Sequence, residues 1–392
     1  MKLPCRIIFL FLLIGIVFPV FVLAQTDNST SRLKEKLMHL AQQPGYLHDT
    51  SYINTLTDLA YEYSSGYPDS ALLILAGNAE RCREAGYRKG EVDTYIIMGD
   101  AFQTKGSYEK ALEYYEKSFQ LAKKINYQKV LSLVLNRIGI IDLNQANYPE
   151  ALSKFYESLK EAEAIGNKEL TGAALNNIAI VQFYQGKFNE AKNTYLQRLK
   201  IAQETLDTSS MSFAYNGIGE INLQQKDPAK ALQNLSLAYS LALKINDREM
   251  LLTAMLSTAE AYLALDSLQK SVSLFENALV LSKQTDHATS ICNALIGLAK
   301  ARQRQGLLKE ALANGLDGLQ RAEKMGQVQL MRDANEIVSS IYESLGDGNN
   351  ALKYYRVYKT YSDSMSNLAS QRAVAIEKAS YEFSKKELEF QR

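Results

Sequence analysis

The chain repeats itself every forty residues. A small residue stands early in "EKALEYY", "PEALSKF", "NEAKNTY" and "AKALQNL": Ala111, Ala151, Ala191 and Ala231. Steps of forty in both directions add Ala71, Ser271, Ala311 and Ala351, with no insertion between them. A fixed period of this length marks stacked supersecondary units that bury a core only against their neighbours. The 392 residues therefore form an array rather than one large core.

Other columns keep the same step. Twelve residues before each anchor lie Leu59, Gly99, Gly139, Ala179, Gly219, Ala259, Ala299 and Ser339, mostly small. Five before lie Gly66, Gly106, Ala146, Gly186, Lys226, Asp266, Gly306 and Gly346, which mark a turn. Four after lie Leu75, Tyr115, Phe155, Tyr195, Leu235, Phe275, Gly315 and Tyr355, mostly large. A small residue lets a partner helix approach, and a bulky one a turn later fills the space beside it. Apolar residues follow the helical period, as in Ile138 and Ile141, then Leu152, Phe155 and Leu159. Acidic or amide residues before the second helix are expected to cap it. Gly86, Asn126, Gly166, Asn246 and Gly326 suit helix C-termini. Each unit reads as two antiparallel helices.

This pattern resembles the tetratricopeptide repeat (TPR) family. The likeness rests on the paired small residues, the turn glycine, Tyr108, Tyr148 and Phe188 at the start of the second helix, and the large residue four after the anchor. It covers about residues 52–365. Two features depart from the pattern. No Trp fills the first large position, where Tyr95, Leu135, Leu175, Tyr215 and Met255 stand. The unit is forty residues rather than the roughly thirty-four of the commoner variety, closer to the long-helix repeats of kinesin light chains and bacterial peptide-sensing regulators. The fold this implies is all-α: an α-α superhelix, or TPR-like solenoid, of eight helix-pair repeats.

The ends carry other signals. Lys2 and Arg6 precede the apolar run Ile7 to Leu23, and Val22-Leu23-Ala24 offers a cleavage site before Gln25. Residues 1–24 read as a signal peptide, so the remainder is expected to be exported, into the periplasm of a Gram-negative bacterium. Residues 25–51 hold "STSRLKEKLMHLAQQ", a lone second helix that caps the first repeat and ends at Pro44-Gly45. Residues 366–392 read as a charged helix in which Ile376, Phe383 and Phe390 recur every seven residues. As a coiled-coil seam this helix would pair the chain as a homodimer. In exported arrays of this kind, a similar helix links to a membrane span and a cytoplasmic effector such as a histidine kinase. The membrane enters this reading only through such a span.

Several functions are disfavoured. The formal net charge of +1 offers no electrostatic footprint for nucleic acid. Cys82 and Cys292 are 210 residues apart in different repeats, so no disulfide is expected between them. His39, His48 and His287 pair with no Cys or carboxylate at ligand spacing, so neither metal nor cofactor is expected. No nucleophile elbow or phosphate loop stands in a strand-turn-helix setting. The chain reads as a binding module, not an enzyme.

The binding face is read from "LNRIGII", "LNNIAIV" and "YNGIGEI". They are the same turn of the first helix in repeats three, four and five. Their Asn136, Asn176 and Asn216 stand where other repeats have Leu56, Ile96, Leu256, Ile296 and Glu336. The resemblance places first helices on a concave groove. One reading has each amide fix the register between repeats. The other has the amides grip the backbone of an extended peptide, since an amide both donates and accepts. Asn costs a helix interior up to roughly 0.7 kcal/mol relative to Ala, so its return needs a reason. The expected partner-binding set is Asn136, Arg137, Ile140, Asn176, Asn177, Ile180, Phe183, Asn216, Glu220 and Glu260, holding a protein or extended peptide. The expected role is the periplasmic sensor region of a membrane signalling protein, with a free-standing periplasmic scaffold as the alternative. Gly315 and Gly318, inside one helix of repeat seven, mark either close packing against repeat eight or a soft point.

Overall fold

The computed structural model describes residues 28–145 and 147–364. Residues 1–24, expected as a signal peptide, Ala146, expected in a turn, and the segment 366–392, expected as a charged helix, lie outside the described residues. Helix α1 is Asn28–Leu40, followed by a 3-10 turn at Tyr46–His48. Repeat one comprises α2 (Thr50–Ser64) with α3 (Pro68–Leu75) and α4 (Asn78–Glu84). Repeat two is α5 (Arg88–Thr104) and α6 (Tyr108–Lys124); repeat three is α7 (Gln128–Asn144) and α8 (Tyr148–Ala164). Repeat four is α9 (Lys168–Tyr184) and α10 (Phe188–Glu204); repeat five is α11 (Thr208–Gln224) and α12 (Pro228–Ile245). Repeat six is α13 (Arg248–Ala264) and α14 (Leu268–Gln284); repeat seven is α15 (Ala288–Arg304) and α16 (Leu308–Met325). Repeat eight is α17 (Val328–Ser344) and a last helix, α18, over residues 348–364.

From α5 onward every helix begins twenty residues after the previous one. The turns explain this regularity. The second residue past the helix body takes a left-handed conformation: Gly106, Asn126, Gly166, Gly186 and Gly306 do so, and so do Leu206, Lys226 and Asp286. The next residue then donates its N–H five residues back, as in Ser107 to the Phe102 carbonyl (2.9 Å), Asn167 to Ala162 (3.0 Å) and Leu307 to Arg302 (2.9 Å). This closure satisfies carbonyls that the helix end would leave bare. Most helices have 17 residues followed by a three-residue turn, and α12 and α16 have 18 followed by two, so the step of twenty is kept.

Capping differs from the expectation. Side-chain caps sit chiefly on the first helices: Asp49, Asn167, Asp207, Asp247 and His287 accept from backbone N–H groups of α2, α9, α11, α13 and α15. Among second helices, Asp227 and Asp347 do so, whereas Ser107, Asn147, Lys187, Ser267 and Leu307 do not.

The chain forms two compact units, Met1–Val130 and Leu131–Arg392. In the first, Leu37 of α1 joins Tyr52 and Leu59 of α2 in one apolar cluster. The second helix of repeat one is broken at Ala76 and Gly77, the latter left-handed at φ 74°. Beyond the break, the fully buried Asn78 donates its amide to the hydroxyls of Thr57 (3.2 Å) and Thr94 (3.0 Å). Glu91, also buried, accepts from Arg83 (3.0 Å), Arg88 (2.8 Å) and Tyr95 (3.0 Å).

In the second unit each large residue four past the anchor is a wedge. A Cβ on Gly139 would stand 2.6 Å from the Phe155 ring of its own repeat. A Cβ on Gly217 would stand 2.4 Å from Tyr195, and one on Gly297 2.3 Å from Phe275, each in the preceding repeat. The wedge is thus held from its own repeat and from the next. Buried hydroxyls add ties between the helices, as where Ser158 donates to the Ser132 carbonyl (2.8 Å) and Ser212 to that of Ala238 (2.8 Å). In repeat eight Tyr355 is 51% exposed, because no later first helix covers it among the described residues.

Helix α16 runs unbroken through Gly315 and Gly318. A Cβ on Gly315 would meet Val338 of α17 at 2.9 Å, and one on Gly318 would meet Ile296 of α15 at 3.3 Å. The glycines serve close packing, Gly315 against repeat eight and Gly318 within its own repeat. Cys82 and Cys292 are free and buried.

Candidate functional site

The asparagine column lies at the margin of the core. Leu135 and Leu175 are buried, while the next residues, Asn136 and Asn176, are half-buried. A step of one residue turns a helical side chain by about 100°, which moves the amide from the core towards the open side. First helices of consecutive repeats in the second unit touch directly, as α9 does α11 and α11 does α13. The column therefore runs along a continuous wall of first helices.

Two hydrogen-bonded relays cross that wall. Asn177 donates its amide to Asn136 Oδ1 at 3.0 Å, joining α9 to α7, and Asn176 donates to Asn177 Oδ1 at 3.4 Å. In the next pair, Asn216 donates to Glu220 Oε1 at 2.8 Å, and Ser257 of α13 donates to the same oxygen at 2.9 Å. These bonds tie repeat three to four and repeat five to six. They leave two acceptors unused: the Oδ1 atoms of Asn176 and Asn216 are closed to solvent and accept no hydrogen bond. An unmade bond at a buried acceptor costs about 1–3 kcal/mol. The column thus links repeats and also holds acceptors that the fold does not use.

The other expected residues are distributed around it. Ile140 packs beside the cluster of Ala151, Phe155, Ile178 and Val181. Ile180 and Phe183 pack beside that of Ala179, Ala191 and Tyr195. Phe183 meets Phe188 edge-on at 5.6 Å, and its neighbour Tyr184, 57% exposed, stacks on Tyr148 at 6.3 Å. Arg137 is half-buried and Glu260 exposed.

A cavity of about 240 Å³ opens between α11 and α13, lined by Asn216 with Ser212, Phe213, Asp247, Glu249, Met250 and Thr253. None of these except Asn216 was in the expected set. Phe213 precedes Asn216 by three residues, one turn back on the same stripe. The signal for this cavity in the sequence is Phe213, an apolar residue one turn before the Asn.

Burial pushes the Glu220 carboxyl above the usual range. The bonds from Ser257 and Asn216 pull it down, and the nearby Glu260 charge raises it again. Among the described residues no group of three or more His, Cys, Asp or Glu is placed to hold a metal ion, and no helix is long and apolar enough to cross a membrane.

Comparison with known proteins agrees with this geometry. Models described as tetratricopeptide repeat match residues 92–125 and 130–204. No curated protein matches the sequence. Among solved structures, the chain is similar to the Rap conjugation gene regulator of the plasmid pLS20 in complex with the Phr* peptide, with TM-score 0.61 and 13% identity over 87% of this chain and 96% of that one. It is similar to the apo form of the quorum sensor NprR from B. thuringiensis, with TM-score 0.60 and 13% identity over 86% of this chain and all of that one (100%). A Rap protein complexed with Competence and Sporulation Factor gives TM-score 0.56 and 12% identity over 82% of this chain and 100% of that one. The chain carries tetratricopeptide repeats and folds as the helical solenoid they build.

Proposed function

We propose that this chain is a binding module without a catalytic step, whose wall of first helices in repeats three to six holds an extended polypeptide. The observation that carries this reading is the column of half-buried amides, Asn136, Asn176 and Asn216, repeated along one wall with Asn216 bordering a cavity. An amide side chain both donates and accepts, so it matches the backbone N–H and C=O groups of an extended peptide. Asn136 and Asn177 extend the amide strip, and Ile140, Ile180 and Phe183 border it with apolar surface. Two of the similar solved structures hold a Phr* peptide or the Competence and Sporulation Factor. The signal-peptide pattern at residues 1–24 supports an exported location, and the charged segment 366–392 supports a sensor region that passes its signal onward.

Replacing Asn136, Asn176 and Asn216 together by Ala tests the binding role. Envelope proteins captured by the immobilised array should be lost, while the melting temperature moves by only a few degrees. A collapse of stability with capture retained would show that the column sets repeat register and nothing more. Export is tested by fusing residues 1–30 to a reporter active only outside the cytoplasm. The coding sequence after Arg392 separates sensor from scaffold, and an immediate stop codon would sink the sensor reading.

A further inference from the structure

Charge along the first helices is unevenly distributed. In α9, α11 and α13 the basic residues are Lys168 and Arg248, each the first residue of its helix. Lys168 is already paired with Glu204 at 2.9 Å. Acidic residues are spread along the same wall: Glu220 on α11, Glu249 and Glu260 on α13, and the cap residue Asp247. No described Lys or Arg lies in ion-pair contact with any of these four. The flanking first helices carry Arg137 on α7 and Lys300 on α15, so the acidic stretch is confined to the middle.

The cavity between α11 and α13 sits in this stretch. Its walls join apolar surface, from Phe213 and Met250, to the carboxylates of Asp247 and Glu249. That combination suits a side chain with a long methylene stem and a cationic head. The Arg198 guanidinium lies over Phe213 at 5.9 Å. It donates to the Gly172 carbonyl and, at 2.9 Å, to the Ser210 hydroxyl, so it is held by α9 and the first turn of α11 and makes no ion pair with those carboxylates.

We propose that this cavity is a specificity pocket for a lysine or arginine side chain of the bound polypeptide. The stem would lie between Phe213 and Met250, and the head would meet Glu249 and Asp247, with Glu260 supplying the wider field. The proposal rests on the peptide-binding reading above and adds which side chain repeats five and six select.

The test is selection of random decapeptides displayed on phage against the whole protein, repeated with Glu249→Gln/Glu260→Gln and with Glu163→Gln, an exposed change on α8. Wild type and E163Q should enrich Lys or Arg at one fixed position. The double variant should lose that enrichment. It should bind a selected, fluorescently labelled peptide about tenfold more weakly at low salt, with the gap closing in high salt. Binding peptides without a basic preference, or an unchanged preference in the double variant, would overturn the pocket while leaving the peptide-binding reading intact. Absence of any enriched peptide would overturn both.

Discussion

Repeats five and seven use the same column in opposite ways. Asn216 of repeat five is half-buried and borders a cavity. Ile296, its equivalent in repeat seven, is 4% exposed and belongs to a cluster with Leu330, Ala334 and Ile337 of the following first helix. The helices have the same length and register. The next repeat makes the difference. Where α17 brings Ile337, α13 brings Ser257, whose hydroxyl bonds Glu220 instead of filling space. A column is therefore closed core or open wall according to the residues that the next repeat brings against it.

The largest test of this contrast is Ile296→Asn. It removes apolar packing and buries an amide without a partner, at a cost of about 3–4 kcal/mol. Urea denaturation measures it, and a loss below about 1 kcal/mol would show that repeat seven is as open as repeat five. Gly315→Ala forces a Cβ to 2.9 Å from Val338 and should cost about 1–3 kcal/mol. Gly318→Ala is the control. Its Cβ contacts begin at 3.3 Å, and a gain in helix propensity of up to about 1 kcal/mol offsets them.

A smaller, pH-dependent effect belongs to repeat five. Because the Glu220 carboxyl is raised by burial, the fold favours its neutral form. That contribution is complete below the unfolded-state pKa and is lost as pH rises through the folded one. Glu220→Gln keeps an acceptor for Asn216 and Ser257 without the charge. Its melting temperature should exceed that of the wild type at about pH 8 and match it near pH 4. A difference of the opposite sign would mean that the ionised carboxylate stabilises the wall.

The smallest test concerns the turns. Leu206, which leads into repeat five, is left-handed at φ 56° and 83% exposed. Asp286 holds the same place before repeat seven. A branched apolar residue pays about 1 kcal/mol or more there, and Asn pays less. Leu206→Asn should raise stability by about 0.5–1 kcal/mol, whereas Asp286→Asn should leave it nearly unchanged.

Much of this was legible in the chain itself. The step of forty, the anchor column and the turn residues located every helix pair, because a solenoid asks each unit to solve the same packing problem. The break at Gly77 was not foreseen. "AGNAE" keeps the period, and the cause is the buried amide of Asn78 seeking Thr57 and Thr94, two hydroxyls on different helices. Phe213 and Met250 were missed because each looks like an ordinary helix-face residue until the neighbouring helix leaves a gap beside it. The Asn column itself was visible, but its bonding was not: Asn177, one residue off the column, makes the link to Asn136.

The sequence alone thus determined the helix pairs, their period and the places where turns reverse the chain, since these follow from contacts within one or two units. The tertiary structure alone decided which first-helix residues stay open, which amide oxygens lack a donor and where a cavity forms. Those properties depend on how a side chain meets residues one full repeat away, and no single unit contains both partners.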